Sequence, residues 1–496
     1  MRLVERDGPI TGFGDDDASF YSIDPLDAEG GKKALQALQT RDFERNALAD
    51  LLDAYNRDLG NDAAALENIS RFREPSSVCA FSGQQLGLFG GPAYTVLKGI
   101  SCLILARQHG AVPVFWMATE DHDVDEIDHT YLIDNLGNLN KFHFSLPKDH
   151  RFVEDLSLSE DHLEEVERFC EVIDRQELYQ LIKGETSYSR AMARIMVSLF
   201  KGTGLVFVEP KILRPLAKEF LKKEIASCSE IAAVLKTTTN RLLEAGTNPA
   251  LDVSDGTNLF IKIDGSVRSK IHFEGGHFKV GSRSFSKQEL LELIETEPER
   301  FSTNAAARCV LQNLLFPVIV YAAGPGELAY YRQLKDYHEY HGISMPWIVP
   351  RLSLTVVTPI AQEMLEKIGF EPWADLPENW SEISPDIDVG GEELAVEWME
   401  SAIKQFGEDL PHASMQRFIT FQSKKLQRKA ALARLRKKRI APHSLHYLKN
   451  LLHPHEKPQE RVINWWEFQT HVDYSIIDKL LQQLNTVPYG HLYCFL

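Results

Sequence analysis

The sequence predicts an α/β fold with a parallel-sheet core, followed by a long helical arm. An apolar run, a glycine-rich loop, a helix and a second apolar run succeed one another over 78–118. Strand, helix, strand at that spacing makes the strands parallel, because a parallel pair needs a long crossover. The strand–helix pattern recurs over 205–226 and again over 318–334. The arm shows as an acid-rich stretch, 391–410, followed by 414–439, which is rich in lysine and arginine and holds no acid.

Taken in order, residues 28–72 read as helical hairpin material, with Leu48, Leu51, Leu52 and Tyr55 at helical spacing and Pro75 closing the region. Val78–Phe81 is the first strand. Ala93 to Gln108 is helical, with Val96, Ile100, Leu103 and Ile104 on its buried face. Gly110 stops it, and Pro113 precedes the strand Val114–Ala118. Leu205–Val208 is a strand and Leu213–Ala226 a helix. Residues 249–286 alternate polar and apolar among glycines, as a small β-rich insertion would. Val318–Tyr321 is a buried strand leading through Gly324-Pro325-Gly326 into a helix with Tyr330 and Leu334. In the arm, Ala395, Trp398, Ala402 and Phe406 form one apolar stripe, and Ile419, Leu426, Ala430 and Ala433 another. Two helices of opposite charge suggest an antiparallel coiled coil.

A chain of 496 residues, 44% hydrophobic and 25% charged, is ordinary globular material for roughly two to four structural units. Its net charge of −17 argues against a coat for duplex nucleic acid, and leaves room for a small anionic ligand in a locally basic pocket. The basic run alone suggests a nucleic-acid arm, but the acidic helix beside it supplies a partner within the chain. The six cysteines are scattered, without a CxxC pair, so neither a disulfide scaffold nor a cysteine-rich zinc site is expected; Cys79 and Cys102 read as core. The first residues carry acids and glycines where a signal peptide has an apolar run. No apolar stretch is long enough to span a bilayer.

Four segments could carry chemistry. Residues 82–99, SGQQLGLFGGPAYTVLKG, join a strand to a helix, where glycines and a helix N-terminus suit a phosphate or carboxylate; the plainer alternative is a loop whose glycines serve tight turns. Thr119-Glu120-Asp121-His122-Asp123 follows a strand at its carboxyl end, where ligands of parallel sheets gather. Such a cluster can hold an ammonium group or a divalent ion, or move a proton. The alternative is a helix cap with acids in the first turn. His122 and His129 lack the spacing for one zinc ion. Ala323–Glu327 repeats the strand–glycine–helix pattern, as an anion wall or a capped turn. Pro350–Thr355 offers Arg351 and two hydroxyls, as a phosphate clamp or an exposed loop. His338 and His341 read as surface or core residues.

These segments, GQQLGLFGGPAYTVLK, PVFWMATEDHD, GPGELAYYRQLK and PRLSLTVV, with the late QERVINWW, resemble the BshC family in the same order and over nearly the whole chain. The resemblance implies a Rossmann-like core related to class I aminoacyl-tRNA synthetases and nucleotidyltransferases, with inserted connecting segments and a coiled coil used in dimerisation. Gly91-Pro92-Ala93-Tyr94 stands where those relatives carry His-x-Gly-His. The implied boundaries are a first core part over 1–240, the β-rich insertion at 241–300, a second core part at 301–360, the coiled coil at 361–455 and a C-terminal return at 456–496.

The implied reaction adds L-cysteine to the amine of glucosaminyl-malate in the cytoplasm, with ATP and Mg²⁺ for activation, no metal held by the protein alone, and neither nucleic acid nor membrane as partner. On this reading Asp121, His122 and Asp123 are the catalytic candidates. Gly83, Gln84, Gln85, Gly91, Tyr94 and Lys98 meet phosphate or carboxylate, with Glu120 beside them. Gly324, Gly326, Glu327, Arg351 and Ser353 close the site. The rival enzyme is a nucleotidyltransferase-like ligase for another acid and amine. The rival from another class is a coiled-coil scaffold with a degenerate nucleotide fold. The apolar stripes predict that the protein sediments as a dimer at micromolar concentration, and that charged residues at Trp398 and Leu426 yield monomers; a monomeric wild type contradicts this.

Overall fold

The structure, a computed structural model, describes residues 1–6, 15–134, 136–253, 256–263, 265, 267–368 and 442–496, with a few helical residues scattered through 397–429. Its centre is a five-stranded sheet. From one edge to the other the strands are Trp347–Pro350, Val318–Ala323, Cys79–Gln84, Val112–Met117 and Val206–Val208, and every neighbouring pair is parallel. Read by position in the chain, the order runs outward from the first strand in both directions. The reversal falls between Cys79–Gln84 and Val318–Ala323, the place where doubly wound sheets open a crevice at their carboxyl ends.

Val112–Met117 and Val318–Ala323 are buried at every residue, because helices cover both faces of the sheet, and such strands are apolar throughout rather than alternating. Pro113 lies inside its strand instead of before it. It pairs with Ala80 on one side, while pairing to Val206–Val208 starts only at Val114, so its missing N–H breaks no ladder there. The N-terminal helical region is three helices, Gly30–Leu38, Arg45–Leu59 and Ala63–Phe72, rather than one hairpin. The expected helix Leu213–Ala226 is broken, with Pro215 in a tight turn before Lys218–Ala226. His338 and His341 are both core residues, bonded to Asn313 and Glu224.

The β-rich insertion is larger than its sequence pattern suggested. Leu259–Lys262 pairs antiparallel with Arg268–Lys270 and with Phe301–Thr303, and a second three-stranded sheet spans His272–Phe285. Phe301–Thr303 runs directly into the helix Ala305–Leu315, which returns the chain to the core strand Val318–Ala323. The insertion is thereby tethered beside the sheet's carboxyl edge.

The C-terminal segment closes the opposite flank. His491–Phe495 pairs parallel with Ser353–Val357 and antiparallel with Arg2–Arg6. Between them Glu460 is buried and accepts from Arg351 Nη2 at 2.6 Å and Leu354 N at 2.9 Å. Burial alone would raise the Glu460 carboxyl; Arg351 outweighs it and holds the group below its ordinary value. Trp398, Leu426 and most of the oppositely charged stretches at 391–439 lie outside the described residues. No helix of the described residues is long and apolar enough to cross a membrane.

Removing one partner of a buried ion pair strands the other, so Glu460→Gln should cost about 3 kcal/mol in chemical denaturation at neutral pH. A carboxyl lowered by folding stabilises above its unfolded value and stops doing so as pH falls through its folded one. The gap between wild type and variant should therefore narrow on acidification; a gap that widens refutes the ionised pair.

Candidate active site

A cavity of about 420 Å³ opens over the carboxyl ends of the strands at the switch point. Its floor is Gly83, Gln84 and Gln85. Glu120, Asp121 and Glu126 line the cavity together with Arg268, Arg308 and Tyr330. Glu327 also reaches it.

Under the floor lies a buried ion pair. Lys98, from the helix Ala93–His109, meets Glu327, from the helix Pro325–Tyr331, with Nζ 2.5 Å from Oε2. The same ammonium donates to the Gly83 carbonyl at 2.7 Å and to Gln84 Oε1 at 2.8 Å. Glu327 also accepts from Gly324 N at 2.8 Å and Tyr321 Oη at 2.7 Å. Burial would raise Glu327, but Lys98 and Arg308 hold it below its ordinary value. Lys98, expected to face a ligand anion, has its three donors engaged inside the protein. It shapes the floor, and Glu327 caps a helix while pairing with it.

The Glu120–Asp123 run is divided among different tasks. Glu120 is buried and accepts from Thr303 N at 3.2 Å and Thr303 Oγ1 at 3.0 Å, which ties the sheet edge to the insertion. Asp121 accepts from Gln85 Nε2 at 2.6 Å, from the His122 amide at 2.8 Å and from Arg268 at 3.3 Å. Burial works against its charge, but the contacts with His122, Arg268 and Gln85 prevail and keep the carboxylate well below the usual range. His122 Nδ1 lies 2.8 Å from Arg268 Nη1. The same Nδ1 is 3.3 Å from Asp121 Oδ1, and His122 is outside the cavity lining. Asp123 is outside the cavity lining and accepts from Asp125 N at 3.1 Å, capping the turn Val124–Glu126. Glu126 lines the cavity; desolvation and then repulsion from Asp123 and Asp121 push its carboxyl up.

The glycine loop is closed from behind. Asn464 donates to the carbonyls of Phe89 at 3.3 Å and Gly91 at 3.0 Å, and Ala93 N donates to Ile463 O at 2.9 Å. A Cβ on Gly87 would stand 2.7 Å from Gly91 Cα, and Gly91 has φ +70°, so these glycines serve a tight turn. The first helical amide, expected to greet an anion, is therefore spent on the C-terminal segment. Tyr94 accepts from Gln84 Nε2 at 3.2 Å, and burial pushes its phenol up to about 12. Gly324 and Gly326 flank the capped turn before Glu327 without lining the cavity. Arg351 and Ser353 both face Glu460, and Ser353 Oγ lies 2.8 Å from His491 Nδ1. They brace the C-terminal segment and do not reach the cavity.

Three contributors escaped the motif reading. Arg268 donates from Nη2 to Thr303 O at 2.7 Å and stacks over Phe260, its guanidinium carbon 3.7 Å from the ring centroid. Arg308 donates to Tyr330 Oη at 2.7 Å. Tyr330 lay in a segment already singled out. Arg268, Phe260 and Arg308 stand in stretches without a chemical motif, and only the fold brings them to the sheet edge.

The family model for "Bacillithiol biosynthesis BshC, N-terminal Rossmann-like domain" matches residues 14–352, and that for "Bacillithiol biosynthesis BshC, C-terminal coiled-coil domain" matches 410–496. A relative from Geobacillus thermodenitrificans (strain NG80-2) is 31% identical over 92% of this chain and 91% of its own length. One from Koribacter versatilis (strain Ellin345) is 30% identical over 91% of this chain and 90% of its own. Both bear the name "Putative cysteine ligase BshC".

Neighbouring aspartates should behave differently. Asp121→Asn should cut turnover about a hundredfold or more, while Asp123→Ala should cost about 1 kcal/mol of stability and leave turnover near wild type. Equal loss of turnover in both, measured on folded protein, contradicts the division of tasks.

Proposed function

The chain belongs to the BshC family of bacillithiol biosynthesis, and from that premise we propose that it joins the carboxyl of L-cysteine to the amine of glucosaminyl-malate, with ATP as activator. One observation supports this placement above the others: carboxylates and guanidinium groups line one cavity at the switch point of the sheet. Amide synthesis from an amino acid and an amine needs both signs in one place, for ammonium groups on one side and for carboxylate or phosphate oxygens on the other.

The chemistry proceeds in two steps. A carboxylate is a poor electrophile, so a cysteine oxygen attacks the α-phosphorus of ATP and pyrophosphate leaves. The acceptor nitrogen then attacks the acyl carbon, AMP leaves with the bonding pair, and the nitrogen gives up a proton. Glu126, whose carboxyl is raised and which lines the cavity, is the candidate proton acceptor. Asp121 stays ionised and half-exposed at the cavity, fit to orient an ammonium group or to join the Mg²⁺ that ATP carries. Because Ala93 N is bonded to Ile463, the nucleotide is held by other groups than that helix end. The working unit is a cytoplasmic homodimer joined through the coiled coil.

Purified protein given ATP, Mg²⁺, cysteine and glucosaminyl-malate should release AMP and pyrophosphate in step with bacillithiol. Stoichiometric ADP would replace the adenylate with an acyl phosphate and keep the ligase. Turnover of another acid and amine, with none of this pair, refutes the substrate assignment.

A further inference from the structure

We propose that Arg308 and the first turn of the helix Ala305–Leu315 form a carboxylate-binding subsite, which takes the dicarboxylate end of the acceptor amine. The substrate assignment rests on the reaction proposed above; the subsite itself rests on charge and geometry. Arg308 is more than nine-tenths buried, yet it lines the cavity. Its hydrogen-bond partners are neutral: Tyr330 Oη at 2.7 Å and Gln312 Oε1 at 3.3 Å. A guanidinium has five donors, so these two bonds leave donors over for a ligand. Among the described residues no carboxylate lies within ion-pair distance of it. Glu327 feels its field but is already bonded to Lys98, Gly324 N and Tyr321 Oη.

Two buried cations, Lys98 and Arg308, thus share one buried carboxylate. At the cavity Arg308 itself has neutral hydrogen-bond partners, and a buried charge without a counterion is expensive. The surroundings add to it. Asn304 and Ala305 bring the N-terminus of an eleven-residue helix to the same cavity, with its positive dipole end, while the Thr303 amide before it is bonded to Glu120. Tyr330 fixes the guanidinium in place, so its planar fork is ready for the two oxygens of a carboxylate. Asp121 and Glu126 line the same cavity. A molecule with an amine at one end and a dicarboxylate at the other is oriented by those charges, with its amine toward Asp121 and Glu126. The acceptor has this form, whereas cysteine carries a single carboxylate and ATP carries phosphates.

The test is calorimetric titration of the full-length protein with L-malate alone, then with ATP and with cysteine, for wild type, R308Q and Y330F, with thermal melts to confirm folding. Wild type should bind malate, R308Q roughly thirtyfold or more weaker, and Y330F weaker by a smaller factor, while ATP and cysteine change by less than about twofold. In turnover the KM for glucosaminyl-malate should rise in R308Q, and that for cysteine should not. Wild type that ignores malate overturns the subsite. So does R308Q with unchanged malate affinity, or with lost ATP affinity in place of malate affinity. If R308Q does not fold, unchanged malate affinity in Y330F overturns it. Malate binding that depends on Arg308 in a protein that makes no bacillithiol keeps the subsite and refutes the reaction.

Discussion

The bond between Lys98 and Glu327 lies where the two halves of the sheet meet. Lys98 follows the first strand and Glu327 the fourth, so the pair spans the switch point. An ammonium so deeply buried would be expensive alone; with Glu327, the Gly83 carbonyl and Gln84 Oε1 it is fully satisfied. The same contacts fix the positions of Gly83, Gln84 and the Gly324 amide, which form or underlie the cavity floor. A floor fixed in this way lets the walls be built from elements far apart in the chain.

Those walls carry both signs of charge. Among the acids, Asp121 is held ionised by Arg268 and Gln85, while Glu126 is raised by desolvation and by its acidic neighbours. Among the arginines, Arg268 is occupied with Asp121, His122 and the backbone of Thr303, and Arg308 is left with neutral partners. Carboxylates of unlike protonation in one cavity can divide the work of holding an ammonium group and accepting a proton. The insertion's role follows from the same contacts: Glu120 and Arg268 both bond to Thr303, so the small sheets serve as one wall of the site.

The sheet was legible where burial dictated composition. VIVYAA and VPVFWM are apolar because both faces are covered, and the helix between Cys79–Gln84 and Val112–Met117 makes that pair parallel. The cavity's place was legible too, since Gln85 and Asp121 both follow strand ends. What the sequence hid was pairing at a distance. Arg268 meets Asp121 across 147 positions, and Arg351 meets Glu460 across 109. Local spacing cannot distinguish an arginine that waits for a ligand from one already matched by an acid elsewhere. Thus Arg351 and Lys98 read as open cations and are paired, while Arg308, which no motif marked, lines the cavity. Within Glu120–Asp123 adjacent residues take different places: Asp123 caps a turn and Asp121 lines the cavity.

The central claim is that the substrates meet at the switch point of the sheet. A crystal structure of the protein grown with glucosaminyl-malate tests it most directly. The ligand should lie over Gly83–Gln85, with its amine toward Asp121 and Glu126 and its carboxylates toward Arg308. Ligand bound instead in the cavity of about 650 Å³ between the helix Cys228–Glu244 and the hairpin at Phe273–Gly275, with the switch-point cavity empty, would contradict it.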